Sequence, residues 1–144
     1  MTRLWRFRRL PPRERRLLVR AVLLLVTIRL ALWFVPFHRV RQLFVIHSVR
    51  TSDALKELSA ERLEWAVRNA SHCVPATACL CQSLALQWLL ARAGYASTIR
   101  IGVRKDPRTG FEAHAWVEQG GRALLSRPSE VERYAPLLGR DGAS

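Results

Sequence analysis

Apolar residues recur at helical spacing up to Gly94 and at every second position beyond it. That switch of period divides the chain into a helical part and a sheet-forming part. Leu63, Ala66, Val67 and Ala70 fall at i, i+3, i+4 and i+7, with Ser59 ahead as a cap and Glu61 in the first turn. The spacing predicts a helix opening at Ser59. Residues 69–78 (NASHCVPATA) read as a loop in which Pro75 sets an extended entry. Cys79–Ala93 is apolar nearly all round, through Leu80, Leu84, Leu86, Trp88, Leu89 and Leu90. It reads as a central buried helix, with Thr77 as N-cap and Gly94 as C-cap.

Beyond Gly94, Ile99, Ile101 and Val103 alternate with Thr98, Arg100, Gly102 and Arg104, and 105–110 (KDPRTG) is a turn. In the next run Phe111, Ala113, Ala115 and Val117 take one face. Glu112, His114, Trp116 and Glu118 take the other. Gln119, Gly120 and Gly121 form a second turn, and Arg122–Leu125 a third strand. An antiparallel meander follows the helix, and the tail after Gly139 is expected to fray.

The N-terminal pattern is different. Leu17–Phe37 (LLVRAVLLLVTIRLALWFVPF) has the length of a membrane span, which needs roughly 20 apolar residues. Arg20 and Arg29 interrupt it, and a mid-span Arg costs about 2.5 kcal/mol or more. The run ends in Arg29 rather than a small-residue cleavage site, against a signal peptide. Pro11 and Pro12 open a helix there, and Glu14 suits its positive end. The helix is either buried or partner-covered, or it lies on a membrane surface through residues 12–37. His38–Val49 holds a second, shorter helix.

Composition refines this picture. The 144 residues make one domain, and 49% hydrophobic content excludes a disordered polycation. The net charge of +13 is uneven: residues 1–50 carry +11 and residues 51–144 only +2. Two regions of one domain follow, a basic apolar helical part (1–50) and a nearly neutral core (51–144). The basic part shows no nucleic-acid motif and no aromatic interleaving beyond Trp5 and Phe7. Three cysteines cannot form a complete disulfide framework, which favours a cytoplasmic setting.

Cys79 stands in the first turn of the buried helix, where unpaired N–H groups and the helix dipole favour a thiolate and cradle an oxyanion. His114 lies mid-strand on the face opposite the apolar one. A cysteine at a helix start and a histidine on a following strand suit thiol activation, although either residue is as readily structural. Residues 79–94 (CLCQSLALQWLLARAG), 101–103 (IGV) and 111–118 (FEAHAWVE) narrow the choice. With 9–18 (RLPPRERRLL) and 133–137 (RYAPL), they resemble the transglutaminase-like B proteins of lasso-peptide biosynthesis.

The resemblance implies an α+β, papain-like or transglutaminase-like cysteine peptidase fold: N-terminal helices, a buried nucleophile helix and an antiparallel sheet. It implies a peptidase that cuts the leader–core junction of a ribosomally made precursor peptide. Cys79 would be the nucleophile and His114 the base, with no cofactor and no metal. Its partners would be a separate leader-binding recognition protein and a macrolactam synthetase. No recognition module is expected ahead of Arg9. The superfamily places an Asp on the strand after the histidine strand. Here the count across the Gly120–Gly121 turn falls near Ser126 or Arg127, so Ser126, or Glu130 from the following loop, is the third-member candidate. Glu118 shares the face of His114 but lies four residues away. Ser83, one turn beyond Cys79, and Trp116, beside His114, are candidates to line the cleft. Cys73 and Cys81 have no usual zinc spacing with Cys79, and Cys81 reads as core. His38, His47 and His72 read as structural. The other readings are an acyl-transferring or deamidating enzyme on the same fold, and a non-catalytic membrane-surface adaptor.

Overall fold

The computed structural model describes residues 8–48, 52–74 and 78–137. Thr77, Pro75, Trp5 and Phe7 lie outside them, as does the chain after Leu137. Pro11 and Pro12 open helix α1 (Pro12–Phe34), whose first carbonyl, of Pro11, accepts the Arg15 N–H at 3.1 Å. The helix stops at Val35, which is extended because Pro36 follows. Leu17, Leu18, Ala21, Leu25 and Ile28 form its buried side. Glu14 pairs with Arg62. Helix α2 (Phe37–Ser48) comes next, then a short α3 (Asp53–Lys56) and α4 (Ala60–Ser71).

Ser59 caps α4 as its spacing predicts, its Oγ accepting the Arg62 N–H at 3.3 Å. Leu63, Ala66, Val67 and Ala70 are fully buried. The helix continues to Ser71, three residues into the expected loop. Asn69 Nδ2 donates to the Trp65 carbonyl at 2.7 Å and Ser71 Oγ to the Arg68 carbonyl at 2.7 Å. Turning these polar side chains back onto the helix removes their incentive to break it.

Helix α5 (Cys79–Ala93) has the boundaries its apolar run predicts. Its C-cap is Gly94, left-handed at φ 91°, a conformation that costs glycine least. Its N-cap is Ala78, which has no side-chain oxygen, so the expected Thr77 cap is corrected. Strands β1 (Thr98–Asp106), β2 (Gly110–Gln119) and β3 (Arg122–Leu124) form the meander. A one-turn helix α6 (Pro128–Val131) then leads to β4 (Ala135–Pro136), which pairs with β1 at Gly102 and Val103. The sheet order is β3-β2-β1-β4, antiparallel throughout.

One core joins these layers. It holds Leu25 and Ile28 of α1, Leu63 and Val67 of α4, much of α5, and Ile99, Val117 and Leu124 of the sheet. Helix α5 packs between α1 and α4 on one side and β2 on the other. The expected two-faced alternation of β2 fails at its outer end and in its middle. Phe111 and Ala113, assigned to the apolar face, are exposed at the outer end of β2. Trp116, assigned to the opposite face, is only 3% exposed. Tyr134, which follows α6, folds over that second face, so residues 115–117 are covered on both sides.

Candidate active site

Helix α5 presents Cys79 as its first residue, half-buried. The first N–H groups of a helix have no partner within it, so an anion at Cys79 meets both those donors and the positive helix end. Cys81 is turned into the core, and burial pushes its thiol up from the ordinary value. Cys73 is exposed near the end of α4, its Sγ 3.8 Å from the Asn69 carbonyl. All three thiols are free.

Strand β2 holds His114 opposite Gly102 of β1. The absence of a side chain at Gly102 makes room for what lies beside the imidazole. A Cβ there would sit 2.6 Å from Tyr134 Cβ and 3.0 Å from the Trp116 ring. The His114 ring stacks on Trp116, with centroids 6.1 Å apart, and tilts against Tyr134 at 5.2 Å. Its Nε2 lies 2.5 Å from Ser126 Oγ. Ser126 is itself buried.

Ser126 reaches this position by an irregular route. Strand β3 ends at Leu124, opposite Val117, so the ladder stops before the residues that would face His114. Leu125 then takes φ 67°, the one described non-glycine residue with positive φ. Its N–H donates to Glu64 Oε1 of α4 at 2.8 Å. Among the described residues no hydrogen bond joins Glu130 to the ring. Its carboxylate accepts the Arg127 N–H at 3.0 Å and closes the first turn of α6. That bond holds its carboxyl below the usual range, with further help from the charges of Arg127, His114 and Arg68. Glu118 is engaged by Arg100 at 3.0 Å.

Two expectations about the cleft change. Ser83 is fully buried, with an unpaired Oγ, because its side of α5 faces the core. Trp116 is packed between Gly102 and His114, its Nε1 also unpaired. Neither lines an open surface. Three hollows lie along α1. One, of about 300 Å³, is lined by Arg13, Arg16 and Arg20 against Leu55 and Leu58, and not by Cys79 or His114. Among the described residues no hydrogen bond joins Cys79 to His114. The contribution of Glu64 was missed by sequence reasoning, because it comes from a helix 61 positions before Leu125 and no local motif announces it.

The sequence profile of the Transglutaminase-like superfamily matches residues 22–139. The match takes in α1 from near its middle, both candidate residues and β4, and the chain belongs to this superfamily. Its members are typically cysteine-dependent enzymes, peptidases or acyltransferases on an α+β papain-like fold. No curated protein and no solved structure matches the chain.

Proposed function

We propose that the chain is a cysteine peptidase that removes the leader from a ribosomally made lasso-peptide precursor, with Cys79 as nucleophile and His114 as base. The observation that carries the reading is the histidine whose Nε2 is held by Ser126, on the sheet against which the Cys79 helix packs. Gln87 Nε2 donates to the Ser97 carbonyl at 3.3 Å, tying the middle of α5 to the start of β1, the strand that pairs with the His114 strand.

In the tautomer that carries its proton on Nε2, that N–H donates to Ser126 Oγ, and Nδ1 is the nitrogen that takes the Cys79 proton. The thiolate attacks the carbonyl of the leader–core bond, and the first N–H groups of α5 receive the oxyanion. The imidazolium returns its proton to the leaving amine, which becomes the core N-terminus. Water then hydrolyses the thioester and frees the leader as an acid. A separate recognition protein supplies leader affinity, and a macrolactam synthetase uses the freed amine. The test is cleavage of a lasso precursor in the presence of its recognition protein, followed by mass spectrometry. Cys79→Ala and His114→Ala should each lose on the order of 10³-fold or more in rate. Wild-type cleavage by either variant would refute the assignment, and a product heavier by an added amine would make the enzyme an acyltransferase.

A second reading, contact with an anionic membrane surface, is favoured by α1. Val19, Leu23, Val26, Leu30 and Trp33 form an exposed stripe opposite the buried one, and Trp33 is 83% exposed. Arg13, Arg15, Arg16, Arg20 and Arg29 are exposed along the same helix, whose single acid is turned to Arg62. The helix is long and apolar enough to cross a bilayer by length and composition, but its other face belongs to the core. It therefore lies in the surface plane, with basic and aromatic groups at headgroup depth. Wild-type chain should co-sediment with phosphatidylglycerol vesicles and release as salt rises, while Leu23→Asp with Leu30→Asp should not bind. Equal sedimentation of both proteins would exclude this role for α1.

A further inference from the structure

We infer that Glu64 is a positioning residue of the candidate site, acting on His114 through Leu125 and Ser126. The inference rests on the cysteine-peptidase reading. A leucine in the left-handed region is disfavoured and persists only where its surroundings hold it. Here the holding group is Glu64 Oε1, which accepts the Leu125 N–H at 2.8 Å. The same oxygen accepts Arg68 Nη2 at 2.8 Å and Nε at 3.1 Å, so the carboxylate is fixed from its own helix. The Glu64 side chain is only 17% exposed, which limits competition from water. Leu125 also packs against the core. The backbone turn at Leu125 then sets where Ser126 emerges, and Ser126 meets His114 Nε2 at 2.5 Å. The imidazole has Trp116 and Tyr134 as its aromatic neighbours, and Glu130 as the carboxylate acting on it. Glu130 Oε2 accepts the Arg127 N–H, and the hydrogen bond at Nε2 comes from Ser126.

The chain delivers the third group by a turn clamped from another helix, whereas a ladder-paired strand would deliver it by register. Removing the clamp should leave the sheet paired and Ser126 misplaced. A displacement of this kind lowers reactivity on the order of tenfold to a hundredfold.

The experiment follows iodoacetamide alkylation of Cys79 against pH, with the modified peptide identified by mass spectrometry and the fold checked by circular dichroism. In the wild type, the limb that depends on His114 is defined by its loss in His114→Ala. If the wild-type and His114→Ala profiles coincide, the peptidase reading fails, and this inference with it. If the limb exists, Glu64→Ala and Ser126→Ala should each reduce it to the same extent, and the double variant no further. Glu64→Gln keeps an acceptor for Leu125 N–H and should retain the limb. Glu64→Ala with Leu125→Gly should recover it, because glycine adopts positive φ unaided. An unchanged limb in folded Glu64→Ala, additive losses in the double variant, or a Glu64→Gln profile like that of His114→Ala would each overturn the positioning role while the dyad stands. Should Glu64→Ala fail to fold, Glu64→Leu, which keeps the bulk without an acceptor for the Leu125 N–H, takes its place: a reduced limb supports the positioning role and an unchanged limb overturns it.

Discussion

Cys79 and Cys81 are two residues apart and chemically opposite. The first opens α5 and is half-buried. The second points into the core, where burial raises its thiol pKa and leaves little thiolate near neutral pH. Iodoacetamide at neutral pH should therefore modify Cys79, and the exposed Cys73, while sparing Cys81. Alkylation of Cys81 should begin only as the pH rises beyond the ordinary thiol range, and peptide mapping across a pH series reads this directly. Early modification of Cys81 would mean that the amino end of α5 opens in solution. This contrast was legible in the sequence, because a helix turns about 200° in two residues and one of the pair must face inward. The contact of Ser126 was half legible. Counting across the Gly120–Gly121 turn reaches it, but the count assumes a continuing ladder, and the ladder ends at Leu124.

At the scale of elements, periodicity served where one face of an element meets one core. The stripe of α4 and the full length of α5 follow from apolar spacing, and Gly94 marks the end of α5 by its backbone. It served less well in β2, whose middle is covered on both faces by residues far along the chain. Strand β4 and helix α6 escaped notice because each is too short to show a period. Their consequence is concentrated at Gly102, where β1, β2 and β4 meet and Tyr134 descends onto the sheet. Gly102→Ala should lower stability by about 1–3 kcal/mol in thermal or urea unfolding, because the new methyl collides with Tyr134 Cβ rather than with a flexible side-chain end. The same substitution should shift the His114 ring resonances through Trp116 and Tyr134. Unchanged stability and unchanged resonances would mean that β4 is not packed on β1 in solution.

For the molecule as a whole, the charge asymmetry was plain in the sequence, while the place of its basic part was not. Helix α1 has two apolar sides, and periodicity alone could not say which one the core takes. The structure gives the core Leu17, Ala21, Leu25 and Ile28, and leaves Leu23, Leu30 and Trp33 outside. The side taken by the core has a consequence during synthesis. Its covering helices, α4 and α5, end only at Ser71 and Ala93, and the sheet comes later still. At roughly 5–20 residues per second, α1 emerges seconds before these helices can cover it. For that interval only α2 is at hand, and the nascent chain presents a long apolar helix with an arginine-rich start. Chaperone or membrane capture of the unfinished chain thus competes with the closing of the core, and the order of the elements sets how long that competition lasts.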